Sequence, residues 1–191
     1  MINGGAIGLS VLTQKYLFDG SIENFVSIRR NTPIPMLMKD IIVSEIQIDA
    51  AKKIGADYIL LIKAVFDNYF AEGSIEKFAE YSHNKGLNVL FEVHHDEEYK
   101  DILNFKFEKN DLVGINNRNL ENMKINLDIT ENLIKKYGKG KSFVISESGI
   151  DNGDQIKQLR NAGVDAFLVG TSIMENSRNV INKVRELVNS I

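Results

Sequence analysis

The stretch V-I-S-E-S-G-I at Val144–Ile150, read together with F-L-V-G-T-S-I-M at Phe167–Met174, decides how this chain folds. Each opens as an apolar run and breaks into small polar residues. The breaks are Ser146-Glu147-Ser148-Gly149 and Gly170-Thr171-Ser172. Between them lies a helix-like segment, Asp151–Ala162, which Gly163 ends. The order is therefore strand, loop, helix, strand, loop. Glycine lets a backbone come close to a ligand, and hydroxyls and free N–H groups bind anions. In a (β/α)8 barrel, the loops after the last two strands commonly form a phosphate site. The pair predicts a phosphate grip, although Gly170-Thr171-Ser172 alone also reads as a plain turn and helix cap.

The same alternation extends toward the amino terminus. Apolar runs predict strands at Ala6–Leu12, Met36–Met38, Asp57–Ile62, Asn88–Val93 and Leu112–Ile115. Helices are expected at Ile22–Arg30 behind a Ser21 cap, and at Glu45–Ile54 behind Ser44 with Gln47 completing a capping box. Others follow at Ser74–Asn84, Asp96–Phe105, Leu127–Tyr137 and Ser177–Val188, and Thr13–Gly20 reads as a loop. Seven strands alternate with helices, and their continuous apolar character suits parallel strands buried on both faces.

At 191 residues the chain fits one domain, with 43% hydrophobic and 26% charged residues. A net charge of -3 gives no electrostatic case for nucleic acid. There are no cysteines, so disulfides and thiolate metal sites are excluded. No apolar run approaches the roughly 20 residues that cross a membrane, and the first residues do not read as a signal peptide, so a cytoplasmic location is expected.

The polar residues at strand ends do not fit an apolar core. Lys39, Glu92, Asn116, Arg118, Glu147 and Ser148 all fall at or just beyond a carboxyl end. In a parallel barrel those ends share one face, where the active site lies. His94-His95 points to opposite sides of a strand and finds no third ligand at a suggestive spacing, so both are expected as solvated loop residues. Lys135-Lys136, with Lys139 and Lys141, suits a helix carboxyl terminus as a solvated basic face.

Taken together, these strand ends resemble the indole-3-glycerol-phosphate synthase family of (β/α)8 barrels. The likeness is carried by Gly4-Gly5-Ala6, Leu9–Thr13, Phe18-Asp19-Gly20-Ser21, Pro35–Asp40, Gln47-Ile48, Gly55-Ala56-Asp57 and Glu92-Val93-His94. It continues in Gly114–Leu120, Ser146–Ile150 and Gly163–Ser172. The resemblance implies closure of an indole ring on 1-(2-carboxyphenylamino)-1-deoxyribulose 5-phosphate, with loss of CO2 and water, in tryptophan biosynthesis. By the same resemblance, Lys39 is the general acid and Glu92 the base assisting dehydration. Asn116 positions the reacting groups, Glu147 orients a neighbouring lysine or hydroxyl, and Arg118 meets the carboxylate side of the substrate. Ser148, Gly149, Gly170 and Thr171 match the phosphate binders, while Phe18, Leu60, Leu120 and Leu168 match an apolar wall for the aromatic ring. No metal or organic cofactor is implied.

The sequence also departs from the family. The helical extension and the first strand, with its glutamate, lysine and Ser-Pro-Ser loop, have no counterpart here, and Met1 falls just before the family's second strand. Ile41 stands where many relatives carry an aromatic residue, and Gln14 where an acidic one is usual. The expected fold is a (β/α)8 barrel truncated to its second to eighth strands. Ala6–Leu12 and Phe167–Val169 are then edge strands, a setting for self-association. Two competing readings stand beside the synthase: an inactive phosphate-binding fragment that needs a partner, and another phosphate-binding barrel such as phosphoribosylanthranilate isomerase. The isomerase family lacks the combination of Met38-Lys39-Asp40 with Asn116-Asn117-Arg118.

Overall fold

The computed structural model describes residues 1–119, 122–175 and 179–191. Among them are seven parallel strands whose order follows the chain: β1 (Leu9–Leu12), β2 (Met36–Lys39), β3 (Tyr58–Ile62), β4 (Asn88–Val93), β5 (Leu112–Asn116), β6 (Phe143–Glu147) and β7 (Ala166–Leu168). Helices α1 (Lys15–Phe18), α2 (Ile22–Arg29), α3 (Glu45–Lys53), α4 (Lys63–Asp67), α5 (Ile75–Asn84), α6 (Asp96–Leu103), α7 (Asp128–Tyr137), α8 (Gly153–Asn161), α9 (Thr171–Glu175) and α10 (Val180–Val188) fill the intervals. The chain divides into two compact units. One comprises Ile7–Glu92 with Phe105–Asp111; the other comprises Met1–Ala6, Val93–Asn104 and Leu112–Ile191.

In the first unit, β1 pairs with β2, β2 with β3 and β3 with β4, all parallel. The core strands are apolar on both faces: Ile59, Leu60 and Leu61 of β3 and Val89 of β4 are fully buried. The local chemistry expected from the sequence forms the helices. Ser21 Oγ accepts from Asn24 N–H at the start of α2. Ser44 and Gln47 make the capping box of α3, and Gly55 follows that helix at φ +83°, a conformation that favours glycine. Phe91 holds Phe105 and Phe107 edge-on, which seats the second segment of this unit on the first.

In the second unit, β5 pairs with β6 and β6 with β7. Asn152 caps α8 by accepting from Asp154 and Gln155 N–H. A 3-10 turn at Ile2–Gly4 packs beneath α10, where a Cβ on Gly4 would stand 2.7 Å from Val184 Cβ. Close backbone packing thus accounts for Gly4.

One device recurs at the amino ends of the strands. Asp57, just before β3, accepts from Met36 N–H of β2 at 2.8 Å and pairs with Arg29 at 2.8 Å. Asp111, just before β5, accepts from Val89 N–H of β4 at 2.9 Å and faces His83 Nε2 at 3.0 Å. Asp165, just before β7, accepts from Val144 N–H of β6 at 2.8 Å and pairs with Lys139 at 2.6 Å. The positions 57, 111 and 165 are evenly spaced, so every second strand carries one carboxylate that fixes its predecessor.

Several expectations need correction. The strand expected over Ala6–Leu12 shortens to Leu9–Leu12, because the residues before Ala6 coil into the 3-10 turn and Ile7 is 82% exposed. Nor is that strand wholly buried: of its four residues only Val11 is. The interval Thr13–Gly20 holds the short helix α1, started by Gln14 Oε1 accepting from Tyr16 and Leu17 N–H. The closing helix begins at Val180, and Ser177 lies outside the described residues. His94 is not solvated. It is 4% exposed and its backbone N–H donates to Glu98 Oε2 at 2.7 Å, while His95 is exposed as expected. Neither ring lies in a strand: β4 ends at Val93, and His95 is the residue before α6.

Candidate active site

The first unit brings an ammonium and a carboxylate together at two strand ends. Lys39 is the last residue of β2 and Glu92 the penultimate residue of β4. Lys39 Nζ lies 3.1 Å from Glu92 Oε2, with the two side chains 17% and 3% exposed. Strand β3 runs between them. Its register sets Leu60 beside Leu90 and Ile62 beside Glu92, so the ion pair spans a wall of buried aliphatic carbon. Leu60, expected as part of an apolar wall, is fully buried in that strand.

The loops around this pair are fixed by the Asp40 side chain and by close backbone packing. Asp40 accepts from Thr13 Oγ1 at 2.6 Å and from Ile41 N–H at 2.8 Å, tying the end of β2 to the end of β1. Gly20 returns against β1 so closely that a Cβ would stand 2.5 Å from the Leu12 carbonyl carbon. Only glycine fits that approach. Phe18, the last residue of α1, is half-buried between these two anchors.

Lys63 is a strand-end residue that the sequence reading passed over. It follows β3 directly, is 6% exposed and forms an ion pair with Asp67 one helical turn on. The signal was present: a lysine ends the apolar run of β3 as Lys39 ends that of β2.

The second unit gathers the remaining candidates. Asn116, Glu147 and Leu168 stand in one row across β5, β6 and β7, since Asn116 pairs with Glu147 and Glu147 with Leu168. Asn116 is 7% and Glu147 1% exposed, while Leu168 is half-buried. Asn116 Oδ1 accepts from Arg118 N–H at 3.0 Å, which sets the start of the loop after β5. Arg118 bridges antiparallel to Ile125, and its Nη1 reaches the Met123 carbonyl at 3.5 Å. Leu120 lies outside the described residues.

Beyond Glu147 the chain turns through Ser148 at φ +67° and Gly149 at φ +78°. A left-handed serine is costly and persists where its surroundings enforce it, often at a functional site. Gly149 has a second constraint. A Cβ there would stand 2.2 Å from Ile125 Cγ2, so the hairpin after β5 occupies the space a side chain would need. The loop after β7 reaches the same place. Ser172 Oγ donates to the Ile150 carbonyl at 2.9 Å, joining the two loops that carry Ser148-Gly149 and Gly170-Thr171. Gly170 is exposed with open space beside it, and Thr171 is exposed. The four expected phosphate binders thus lie in the turn after β6 and at the junction of β7 with α9, which the Ser172–Ile150 hydrogen bond joins.

In α6, Glu98 shows how a buried group is charged here. Burial works to raise its carboxyl, but hydrogen bonds from His94 and the neighbouring imidazoles outweigh it and hold the carboxyl below its ordinary range.

A parallel βα repeat with charged and small hydroxyl residues at its strand ends places the chain in the (β/α)8-barrel class. Solved structures agree on the fold. 3-Hexulose-6-phosphate synthase from Salmonella typhimurium superposes with a TM-score of 0.76 at 12% identity, covering 100% of this chain and 88% of that one. A mutant tryptophan synthase alpha-subunit from Pyrococcus furiosus gives 0.66 at 17% identity, covering 97% of this chain and 86% of that one.

Sequence comparison narrows the class. The model of the indole-3-glycerol phosphate synthase family matches residues 1–187, and the chain belongs to that family. The indole-3-glycerol phosphate synthase of Nautilia profundicola is 38% identical over 169 residues, covering 88% of this chain and 62% of the relative. The enzyme of Aquifex aeolicus is 39% identical over 185 residues, covering 96% and 69%. The enzyme of Sulfurisphaera tokodaii is 37% identical over 188 residues, covering 98% and 72%. The chain therefore spans roughly two thirds of the length of these relatives.

Proposed function

We propose that this chain performs the ring closure of indole-3-glycerol phosphate synthase on 1-(2-carboxyphenylamino)-1-deoxyribulose 5-phosphate, releasing CO2 and water. The observation that carries this reading is the buried ion pair of Lys39 and Glu92 at two strand ends. Family membership supports a phosphorylated small molecule as the substrate.

In this reading the substrate carbonyl accepts a proton from the Lys39 ammonium as the ring carbon bearing the carboxylate attacks it. Loss of CO2 returns the bond electrons to the ring and restores its aromaticity. Lys39, reprotonated from solvent after the first transfer, then gives a proton to the new hydroxyl, which leaves as water while Glu92 takes the proton lost from the substrate; two protons leave the lysine, one is returned through Glu92, and solvent supplies the difference. Lys39 Nζ and Glu92 Oε2, 3.1 Å apart, set a group that can donate a proton beside one that can accept it. Asn116 and Glu147 orient reacting groups, and Arg118 meets the substrate carboxylate. Phe18, Leu60 and Leu168 supply apolar contact to the aromatic ring. Ser148, Gly149, Gly170 and Thr171 hold the phosphate, which fixes one end of the substrate so that ring carbon and carbonyl meet.

The test is an assay with that substrate on the 191-residue chain and on a version extended by the family's first strand. Indole product from either supports the reading; none from both overturns it. Self-association through β1 belongs to the same proposal, supported by the exposed Leu12 on the outer strand of its unit. A sedimentation profile that stays monomeric at all concentrations rejects it.

A further inference from the structure

We propose that Asn117 is the positioning residue of the phosphate cradle, an inference that rests on the functional reading above. It follows the candidate Asn116, just beyond the end of β5, and its side-chain amide reaches the turn after β6. Its side chain is fully buried and divides its hydrogen bonds between the end of β6 with its turn and Thr130 of α7. The two hydrogens of the amide nitrogen Nδ2 face three acceptors, Ser146 Oγ at 2.9 Å, the Glu147 carbonyl at 3.0 Å and the Ser148 carbonyl at 3.2 Å, so one hydrogen is shared. The amide oxygen accepts from Thr130 Oγ1 at 2.7 Å and from Thr130 N–H at 3.3 Å. Thr130 Oγ1 in turn lies 3.0 Å from Ser146 Oγ, and both of those residues are fully buried. The Asn117 backbone N–H adds a bond to the Glu147 carbonyl at 2.9 Å.

The consequence follows from peptide geometry. In a trans peptide the C=O and the N–H point in opposite directions across one plane. Drawing the carbonyl oxygens of Glu147 and Ser148 toward Asn117 therefore aims the N–H groups of Ser148 and Gly149 away from it. Two successive peptide planes are set by one side chain, on either side of a serine held at φ +67°. An unfavourable conformation lasts only where neighbours over-determine it, and Asn117 with Thr130 and Ser146 is that neighbour set. Asn117 thus prepares two backbone donors for an anion before the anion arrives. The same bonds fix the backbone of Glu147.

The experiment uses the 191-residue chain labelled with nitrogen-15, titrated with inorganic phosphate while the Ser148 and Gly149 amide signals are followed. Each variant is measured well below its own thermal midpoint, so that a merely structural role leaves affinity untouched. In the unaltered chain both signals shift on phosphate addition. Asn117→Ala weakens phosphate about tenfold and moves both signals in the absence of phosphate. Asn117→Asp, equal in shape but with an acceptor turned toward two carbonyls, weakens it at least as much. Thr130→Val, which removes one donor to the Asn117 amide oxygen, costs about threefold. Affinities of Asn117→Ala and Thr130→Val within twofold of the unaltered chain overturn the proposal, as does an unaltered chain whose two signals ignore phosphate. Where the Asn117 variants do not fold, Thr130→Val decides alone. Turnover is judged separately: a chain that binds phosphate through these amides and yet makes no indole product refutes the enzyme reading while leaving Asn117 in its role.

Discussion

Lys39 and Glu92 illustrate what a pair of residues can carry between them. Neither charge is at home at a buried strand end, and each offsets the other's burial. Lys39→Ala in an active form of the chain is expected to lower kcat by at least about a hundredfold, with phosphate affinity little changed. Full activity in that variant removes the lysine from the chemistry. Gly149 makes a different point, because its constraint is steric and conformational. Gly149→Ala adds a left-handed penalty of about 1–2 kcal/mol and drives a methyl into Ile125. The melting temperature should fall and phosphate binding should weaken together. Shortening Ile125 to Ala in the same chain relieves the collision but not the backbone penalty, so rescue is partial; complete rescue shows that φ at this position is unimportant. These residues were legible as a set, since each breaks an apolar run. Asn117 was legible only as a letter between two candidates, because its role depends on Thr130 and Ser146, which no local pattern joins to it.

At the scale of elements, caps and strands could be read because their chemistry is local. Ser21, Ser44 with Gln47, and the glycine after α3 did what their side chains allow. The short helices α1, α4 and α9 were not read, since four or five residues show no apolar period to detect. His94 was misjudged for a related reason: Glu98, the partner of its backbone, lies in the first turn of the following helix. The contact of α6 with α7 gives a pH prediction. Tyr99 donates to the Gly138 carbonyl at 2.9 Å, and burial, with Asp165 adding to it, pushes its phenol up to about 12. The folded chain therefore keeps this proton after the unfolded chain begins to lose it near its ordinary value of 10. The stability it contributes is complete below pH 10 and is lost as pH rises through about 12. Tyr58, raised by burial and by nearby Asp111, acts in the same sense. Tyr99→Phe should flatten the alkaline unfolding curve in part; an unchanged slope over that window contradicts the shift.

At the scale of the whole molecule, the strand count and the parallel order were legible because every strand announces itself as an apolar run. The evenly spaced carboxylates were not, since an aspartate before a strand looks like any turn residue until its partners are known. Asp111 is the best buried of them, with Val89 N–H, Glu108 N–H and His83 around a carboxylate that is fully enclosed. Asp111→Ala leaves two backbone donors and an imidazole without their acceptor. The expected loss is about 3 kcal/mol, read by urea unfolding, with phosphate affinity unchanged. A loss of phosphate affinity instead of stability means that this residue serves the site. Because Asp57, Asp111 and Asp165 clamp the strands where they begin, the loops where strands finish do not have to hold the scaffold in register. Within each unit, then, a loop at the finishing end of a strand can be exchanged while the carboxylate clamp at the starting end stays in place.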